Sequence, residues 1–298
     1  MKFGISLPNF GLYATKDSIL EVALTAEEFG FDSVWVSDHI VIPDSHKGFG
    51  ELFFEPLTTL TYIASRTKNI LLGSSVIILP YRNPMALAKM VSTLDVLSKG
   101  RVVFGVGIGW LEDEFSALGV SYDERGSITD EWIEVLKALW TKDKASFKGK
   151  YLEFSNIDLL PKPSQKPWPQ IWVGGNGKKA IERALKFGDG WHAVGLTPEE
   201  IKERTIYINE FLIKENQKRR NFVISLRKNL QVMKDKRPGI PDDRETLRGT
   251  PDKIIKGIGK LRDSGASHLI FQVLSGTLKG VFETMQIFSK DIRPEVDS

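Results

Sequence analysis

Two kinds of hydrophobic pattern alternate along the chain. Short, largely apolar runs rich in β-branched and aromatic residues predict strands, and apolar residues that recur every three or four positions predict amphipathic helices. The runs predict strands at residues 2–8, 33–37, 70–79, 101–106, 171–173, 191–194, 222–232 and 268–273. The longer repeats predict helices at residues 17–29, 55–64, 83–97, 129–140, 178–187, 197–219, 250–261 and 278–288. Each predicted strand is therefore followed by a predicted helix.

Residues typical of helix ends mark several of these boundaries. Asn83 stands directly before Pro84, which is the usual order of an N-cap residue and a first-turn proline. Thr197 and Glu200 have the spacing of a capping box, in which each side chain accepts a hydrogen bond from the other residue's backbone amide. Gly30 follows the first helix and predicts its end, because glycine enters the left-handed conformation at little cost.

The alternation predicts an α/β protein built as a (β/α)8 TIM barrel. Consecutive strands that are separated by helices must pair in parallel, and eight such units close into a barrel. We expect a single domain over residues 1–298, with insertions at about 40–54, 119–128 and 145–168. The runner-up is a doubly wound open sheet. Residues 8–12 argue against it, because this first turn lacks the glycine fingerprint of a dinucleotide-binding fold.

Composition excludes several classes of function. The hydrophobic fraction is 41%, the charged fraction is 27% and the net charge is +3, which gives no indication of nucleic-acid binding. The absence of cysteine excludes disulfides, thiolate metal sites and a thiol nucleophile. The longest apolar run, residues 76–79, is far shorter than a membrane span, and residues 1–8 show no signal peptide. We therefore expect a soluble, cytoplasmic protein that does not bind membranes.

Candidate catalytic residues follow the strands, since a TIM barrel carries its active site at the carboxyl ends of its strands. Asp38 and His39 follow the second predicted strand. An imidazole at this position can transfer a proton near neutral pH. Adjacent strand residues point to opposite sides, so the two side chains need not touch. A structural, hydrogen-bonding role for His39 stays open on the residues alone.

Two glycine clusters follow other strands and suggest a ligand with a phosphate and a planar ring. The turn at residues 174–177, Gly-Gly-Asn-Gly, precedes a helix and is either a phosphate site or simply a tight turn. Gly107 and Gly109 lead to Trp110, whose indole is placed to line a pocket for a planar ring. The acidic run at residues 112–114 is interpreted as complementing a helix dipole.

The remaining histidines predict structural roles. His268 begins a strand and is assigned to packing, and His192 lies in mid-strand, where it is able to point into the barrel. His46 lies in a polar loop and is expected to be solvated. No two histidines have helical metal-ligand spacing, so no metal site is predicted.

Several segments, taken in order, resemble the luciferase-like monooxygenase superfamily, which includes bacterial luciferase, and in particular its F420-dependent oxidoreductase branch. The resemblance extends nearly from end to end and rests on the order and spacing of the pieces together. The matching segments are residues 3–8, 26–39, 80–84, 93–101, 105–110, 169–175 and 188–191.

The resemblance implies a flavoprotein-like TIM barrel, usually a homodimer, that binds coenzyme F420 or FMN. By this resemblance, His39 is the catalytic proton donor or acceptor and Asp38 lies beside the ring. Ser75 and Val76 match a non-prolyl cis peptide that forms a bulge behind the ring. The remaining residues implied to bind the cofactor are Gly107 and Gly109 along the ring, and Gly174, Gly175 and Asn176 at the phosphate turn. Trp110 is assigned to the cofactor pocket from its place at the mouth of the barrel.

The implied function is that of an oxidoreductase that transfers a hydride between F420 and a small organic substrate. The alternative is an FMN-dependent two-component monooxygenase that uses oxygen and reduced flavin from a partner reductase. A non-catalytic flavin-binding protein is a more distant alternative, and a barrel glycosidase has little support, because only Asp38 sits squarely at a strand end. Sugar-phosphate dehydrogenases of this family carry glutamate at the position of Trp110, which argues against a sugar-phosphate substrate.

Overall fold

Eight parallel strands of the described residues form a closed barrel. The computed structural model describes residues 1–44, 46, 52–215, 221–233 and 243–297. The barrel strands are β1 (Lys2–Ser6), β2 (Ser33–Val36), β3 (Leu71–Ser74), β4 (Val102–Gly107), β5 (Gln170–Gly174), β6 (Gly190–Val194), β7 (Val223–Val232) and β8 (His268–Val273). Each strand pairs in parallel with its neighbours in this order, and β8 pairs with β1 to close the ring. The predicted (β/α)8 barrel is therefore confirmed, and the doubly wound sheet is excluded.

The helices lie between the strands. They are α1 (Lys16–Glu28), α2 (Pro56–Ala64), α3 (Pro84–Leu97), α4 (Arg125–Thr141), α5 (Lys178–Phe187), α6 (Pro198–Lys214), α7 (Pro251–Asp263) and α8 (Leu278–Ile287). The caps predicted at Asn83 and Thr197 are both formed, and Thr197 completes its capping box with Glu200. The end of the predicted sixth helix, residues 216–219, lies outside the described residues. No described helix is long and apolar enough to span a bilayer.

The core has two layers because the strands are buried on both faces. Most apolar side chains fill the space between the barrel and the surrounding helices. A smaller cluster of Trp35, Val103, Trp172 and Ile270 fills the barrel interior. The indole rings of Trp35 and Trp172 stack there, with their centroids 5.2 Å apart. A continuous buried run such as the one in β2 places side chains in both layers of the core.

The third predicted strand is interrupted, which shapes the carboxyl end of the barrel. β3 stops at Ser74, the Ser75–Val76 peptide is cis, and a short strand Ile77–Ile78 then pairs with the end of β4. The cis peptide that the family resemblance implied is therefore present. The single strand predicted over residues 70–79 is wrong at its centre, because apolar composition alone does not reveal a backbone bulge.

Two predicted insertions contain regular structure. In the predicted insertion at residues 145–168, an antiparallel hairpin joins Ala145–Lys148 to Glu153–Ile157. Phe147 and Phe154 stack across this hairpin. A short helix, Glu112–Ala117, precedes α4, which itself begins at Arg125 rather than at residue 129. Part of the predicted insertion at residues 40–54 lies outside the described residues.

Candidate active site

A cavity of about 790 Å³ opens at the carboxyl ends of the strands. It brings together nine of the ten residues that the sequence predicted for the site: Asp38, His39, Ser75, Val76, Gly107, Gly109, Trp110, Gly174 and Gly175. The glycine turn after β5 and the imidazole after β2 therefore face one continuous space. Asn176, the tenth predicted residue, does not line this cavity.

His39 is held by a carboxylate that was not among the predicted site residues. The Nδ1 atom of His39 lies 2.6 Å from Oε2 of Glu114. The Glu114 side chain is fully buried, and that of His39 is 13% exposed. Because an ionised carboxylate only accepts hydrogen bonds, Nδ1 must carry the proton of this bond. The Nε2 atom is then the ring nitrogen left to exchange a proton with a ligand in the cavity.

Glu114 is built to stay ionised. Its Oε1 atom accepts hydrogen bonds from the backbone amides of Ile40 (2.7 Å) and Val41 (3.2 Å), and its Oε2 atom accepts one from the hydroxyl of Tyr81 (3.0 Å). Burial by itself would raise the pKa of Glu114, but the bonds from His39 and these two amides outweigh burial and lower the pKa below its usual value.

The dipole interpretation of the acidic run leaves out the contacts of Glu114, which lies on the first turn of the short helix but also binds His39. Glu112 and Asp113 are exposed on the first turn of the short helix, as that interpretation expects, whereas Glu114 is buried beside Phe115. One signal in the sequence does distinguish them. Leu111, Glu114 and Phe115 have the i, i+3, i+4 spacing of a buried helix face, so a carboxylate within that face required a partner.

Aromatic side chains form the outer wall of the cavity around His39. The ring of Phe53 lies edge-on to the imidazole at 5.0 Å, and Phe10 stacks on Phe53 at 4.9 Å. Trp110 lies edge-on to His39 at 6.1 Å and is 51% exposed at the mouth. The indole of Trp110 and the ring of His46 are 5.9 Å apart, so His46 is not simply a solvated loop residue.

Asp38 has a structural partner other than His39. Its carboxylate forms a bidentate ion pair with Arg82, with oxygen–nitrogen distances of 2.7 and 2.8 Å, and it accepts a hydrogen bond from the amide of Ile78. Arg82 also contacts Glu55 at the start of α2. The Asp38 side chain is fully buried. Asp38 therefore holds the segment after the cis peptide in place and anchors the cavity wall. It does not orient the imidazole of His39.

Val76 forms the floor of the cavity, and glycines make room for it. A methyl group added to Gly107 would lie 2.5 Å from Cγ2 of Val76, and one added to Gly174 would lie 2.8 Å from Cγ1. Both distances are shorter than carbon atoms tolerate without movement. The glycines of β4 and β5 thus let the bulge press into the mouth of the barrel and leave a smooth apolar surface above it.

A buried histidine ties the bulge to the opposite side of the barrel. The Nε2 atom of His192 lies 2.8 Å from the hydroxyl of Ser75, and its Nδ1 atom lies 2.6 Å from the hydroxyl of Ser225. Burial, with a smaller contribution from Arg227, lowers the pKa of His192 to about 3. The ring is therefore neutral at physiological pH. His192 points into the barrel, and its contacts are those of a positioning residue.

The turn after β5 presents a helix N-terminus, but not all of its groups are available to a ligand. Gly175 has a positive φ of 127°, and its amide donates a hydrogen bond to the carbonyl of His192. The Asn176 side chain bonds both the carbonyl and the amide of Val194. Gly177 caps α5 without a side-chain hydrogen bond, which leaves the first turn of α5 uncapped by its own residues.

The cavity also contains charged residues on β7, a strand in which no site residue was predicted. Arg227 and Lys228 both line it, as does Glu245. The Arg227 guanidinium donates to the hydroxyl of Ser37 at 3.2 Å and to the side-chain carbonyl of Gln272. Neighbouring residues of a strand normally point to opposite faces, so no pattern along the chain predicts that both cations lie at the mouth of the barrel.

Comparison with known proteins gives a family and a fold. Residues 1–230 match the family model described as luciferase-like monooxygenase. An F420-dependent glucose-6-phosphate dehydrogenase of Amycolatopsis mediterranei is 36% identical over 177 residues, which cover 58% of this chain and 52% of that protein. An FMNH2-dependent dimethylsulfone monooxygenase of Pseudomonas putida is 37% identical over 123 residues, covering 40% and 34% of the two chains. The aligned segments thus span about half or less of these relatives.

Solved structures match over almost the whole length. The monooxygenase RslO1 from Streptomyces bottropensis superposes with a TM-score of 0.84 at 25% identity and covers 99% of both chains. An F420-dependent secondary alcohol dehydrogenase superposes with a TM-score of 0.83 at 22% identity, covering 99% of this chain and 98% of that one. The second likeness supports the fold alone.

Proposed function

Because this chain belongs to the luciferase-like monooxygenase family, we propose that it is an enzyme that transfers a hydride between coenzyme F420 and a small organic substrate. One observation carries the proposal. A single cavity joins the glycine turn at Gly174 to the paired side chains of His39 and Glu114. A site that binds a phosphorylated ring and moves a proton needs both ends in one space.

The residues present fit a planar, phosphorylated group. Val76 supplies an apolar floor, and a side chain on Gly107 would obstruct the space beside it. Gly174 and the first turn of α5 would hold the phosphate, since a helix N-terminus attracts anions. Trp110 would border the ring at the mouth. The chemistry that a bound deazaflavin supplies is two-electron hydride transfer.

His39 handles the proton that accompanies the hydride. When an alcohol is oxidised, the carbon–hydrogen bond gives up a hydride, and the hydroxyl proton passes to Nε2 of His39. The carbon–oxygen double bond forms as both leave. Glu114 holds Nδ1–H in place and stabilises the imidazolium that results. In the reverse direction, the same imidazolium returns the proton to the carbonyl oxygen.

The alternative is an FMN-dependent monooxygenase that receives reduced flavin from a partner reductase. The sequence match to a dimethylsulfone monooxygenase and the 25%-identical monooxygenase structure favour it. The same cavity would hold the flavin. We further propose that the protein is a homodimer, as the family resemblance implies, and that it works in the cytoplasm. Light scattering of the purified protein tests the dimer.

Separate titrations with F420 and FMN discriminate between the two functions. We expect F420 to quench the tryptophan fluorescence of the protein saturably and to bind more tightly than FMN. Tight FMN binding without F420 binding would establish the alternative, and binding of neither would refute both. The His39→Gln variant should bind the cofactor as the unmodified protein does but lose about 10²–10⁴-fold in hydride transfer to a panel of alcohols and ketones. The exposed Arg66→Gln variant is the control for handling and folding.

A further inference from the structure

The mouth of the barrel divides into two sectors with different chemistry. The proposed cofactor contacts Val76, Gly107 and Gly174 follow or end β3, β4 and β5, which are consecutive in the barrel. The strands across the barrel are β7, β8 and β1. Their sector contributes Arg227, Lys228, Asn229 and Gln272 to the same cavity, together with Phe10. A ring placed over Val76 leaves this second sector to the substrate.

Arg227 is a cation held by neutral groups. Its hydrogen-bond partners are the Ser37 hydroxyl and the Gln272 side-chain carbonyl. Among the described residues no carboxylate forms an ion pair with its guanidinium; Glu245 acts on it only at longer range. Burial lowers the pKa of Arg227 to about 10, with Glu245 opposing the shift, so the side chain stays charged at neutral pH. A half-buried guanidinium without an ion-pair partner is a strong site for a ligand anion.

The other charged groups around the cavity do not neutralise Arg227. Lys228 adds a second cation, whose Nζ donates to the carbonyl of Arg244. The Asp38 carboxylate is consumed by Arg82, and that of Glu114 by His39. Asp243, Glu200 and Glu245 all act on Lys228, whereas Glu245 is the one carboxylate that acts on Arg227 among the described residues. The substrate sector carries a positive charge.

We propose that the substrate carries an anionic group, a carboxylate, phosphate or sulfonate, and that Arg227 binds it. This inference rests on the proposed function and adds a substrate class to it. Ser37, which contacts Arg227, precedes His39 by two residues, or roughly 7 Å along an extended chain. Arg227, Ser37 and His39 line one cavity, so one small substrate can contact both Arg227 and His39. Small acids whose reacting carbon lies near the anionic group fit this arrangement.

Anion binding to the purified protein tests the proposal without a known substrate. Inorganic phosphate, sulfate and acetate are titrated at constant ionic strength, and binding is followed by calorimetry and by the tryptophan fluorescence of the protein. We expect saturable binding of at least one of the three anions. Arg227→Gln should weaken that binding at least tenfold, and Arg227→Lys by several-fold, since lysine keeps the charge but loses the planar fork. Arg66→Gln removes the same charge at an exposed position and should bind as the unmodified protein does.

Repeating the titration with F420 or FMN bound separates this site from the phosphate turn. Anion binding that persists in the loaded protein and depends on Arg227 supports the proposal. If bound cofactor abolishes anion binding, Arg227 belongs to the cofactor site and the proposal is overturned. The proposal is also overturned if Arg227→Gln leaves anion binding unchanged, or if no anion binds saturably. If the glutamine variant fails to fold, an unweakened Arg227→Lys protein overturns the proposal. Failure of the proposed function appears differently, as absence of cofactor binding before any anion is added.

Discussion

Replacing Glu114 by glutamine tests how the protein controls the proton of His39. The carboxylate accepts hydrogen bonds from four donors: His39, Tyr81 and the amides of Ile40 and Val41. In the variant, the amide oxygen can keep the two backbone donors on the Oε1 side. The amide nitrogen then faces Nδ1 of His39, and two N–H groups cannot share one hydrogen bond. The ring is forced to carry its proton on Nε2 instead.

The size of the effect follows from the loss of charge. A hydrogen bond to a charged group contributes about 1.5–3 kcal/mol to stability, and a bond between neutral groups contributes about 1 kcal/mol. The substitution weakens the bonds from His39 and Tyr81, so we expect the free energy of unfolding to fall by about 2 kcal/mol. If the imidazolium that forms during the reaction loses about 2 kcal/mol of stabilisation in the same way, the hydride-transfer step becomes about 30-fold slower. The two quantities should fall together.

Nitrogen-15 NMR of the His39 ring gives the direct measurement, because protonated and unprotonated ring nitrogens differ strongly in chemical shift. We expect Nδ1–H in the unmodified protein and Nε2–H in Glu114→Gln at neutral pH. Urea unfolding gives the stability change. Glu112→Gln is the matched control, since Glu112 is exposed on the same helix turn and should cost under about 0.5 kcal/mol. A variant that keeps Nδ1–H, or that loses no more stability than the control, would refute this account.

Two further predictions concern the cavity floor and the buried histidines. Gly107→Ala should cost about 1–3 kcal/mol of stability and weaken cofactor binding, because its methyl group meets Val76 at 2.5 Å. Gly259→Ala on α7, where an added methyl group has nothing within 4 Å, should do neither, and a comparable loss in both variants would contradict the packing argument. Burial lowers the pKa of His192 and His268 to about 3, below the unfolded value of about 6.5, so the unfolded chain binds more protons and stability falls as pH drops from about 6.5 towards 3. Urea unfolding at pH 7 and pH 4 measures this change, and we expect the free energy of unfolding to fall on the order of 3 kcal/mol for each ring. An unchanged free energy of unfolding between these pH values would show that the rings are not buried in the neutral form.

The repeating pattern of the sequence was sufficient to predict the barrel and much of its site. Strand-to-helix alternation over the whole chain permits few topologies, and the carboxyl ends of parallel strands must meet at one face. For that reason Asp38, Gly107 and Gly174 were expected in one place before any contact was known, and the structure lines one cavity with them. Each of these residues directly follows or ends a strand, so its position depends only on local order along the chain.

Tertiary structure alone decided how these groups are partnered. Glu114 reaches His39 across 75 positions, and Arg227 reaches Ser37 across 190, so neither contact has a signature at short range. Local pattern likewise could not show that Asp38 is committed to Arg82 or that the Asn176 side chain is bonded to Val194. Periodicity specifies which face of an element is buried, but the hydrogen-bond partner of a buried polar group is fixed only when the barrel closes and removes water from both.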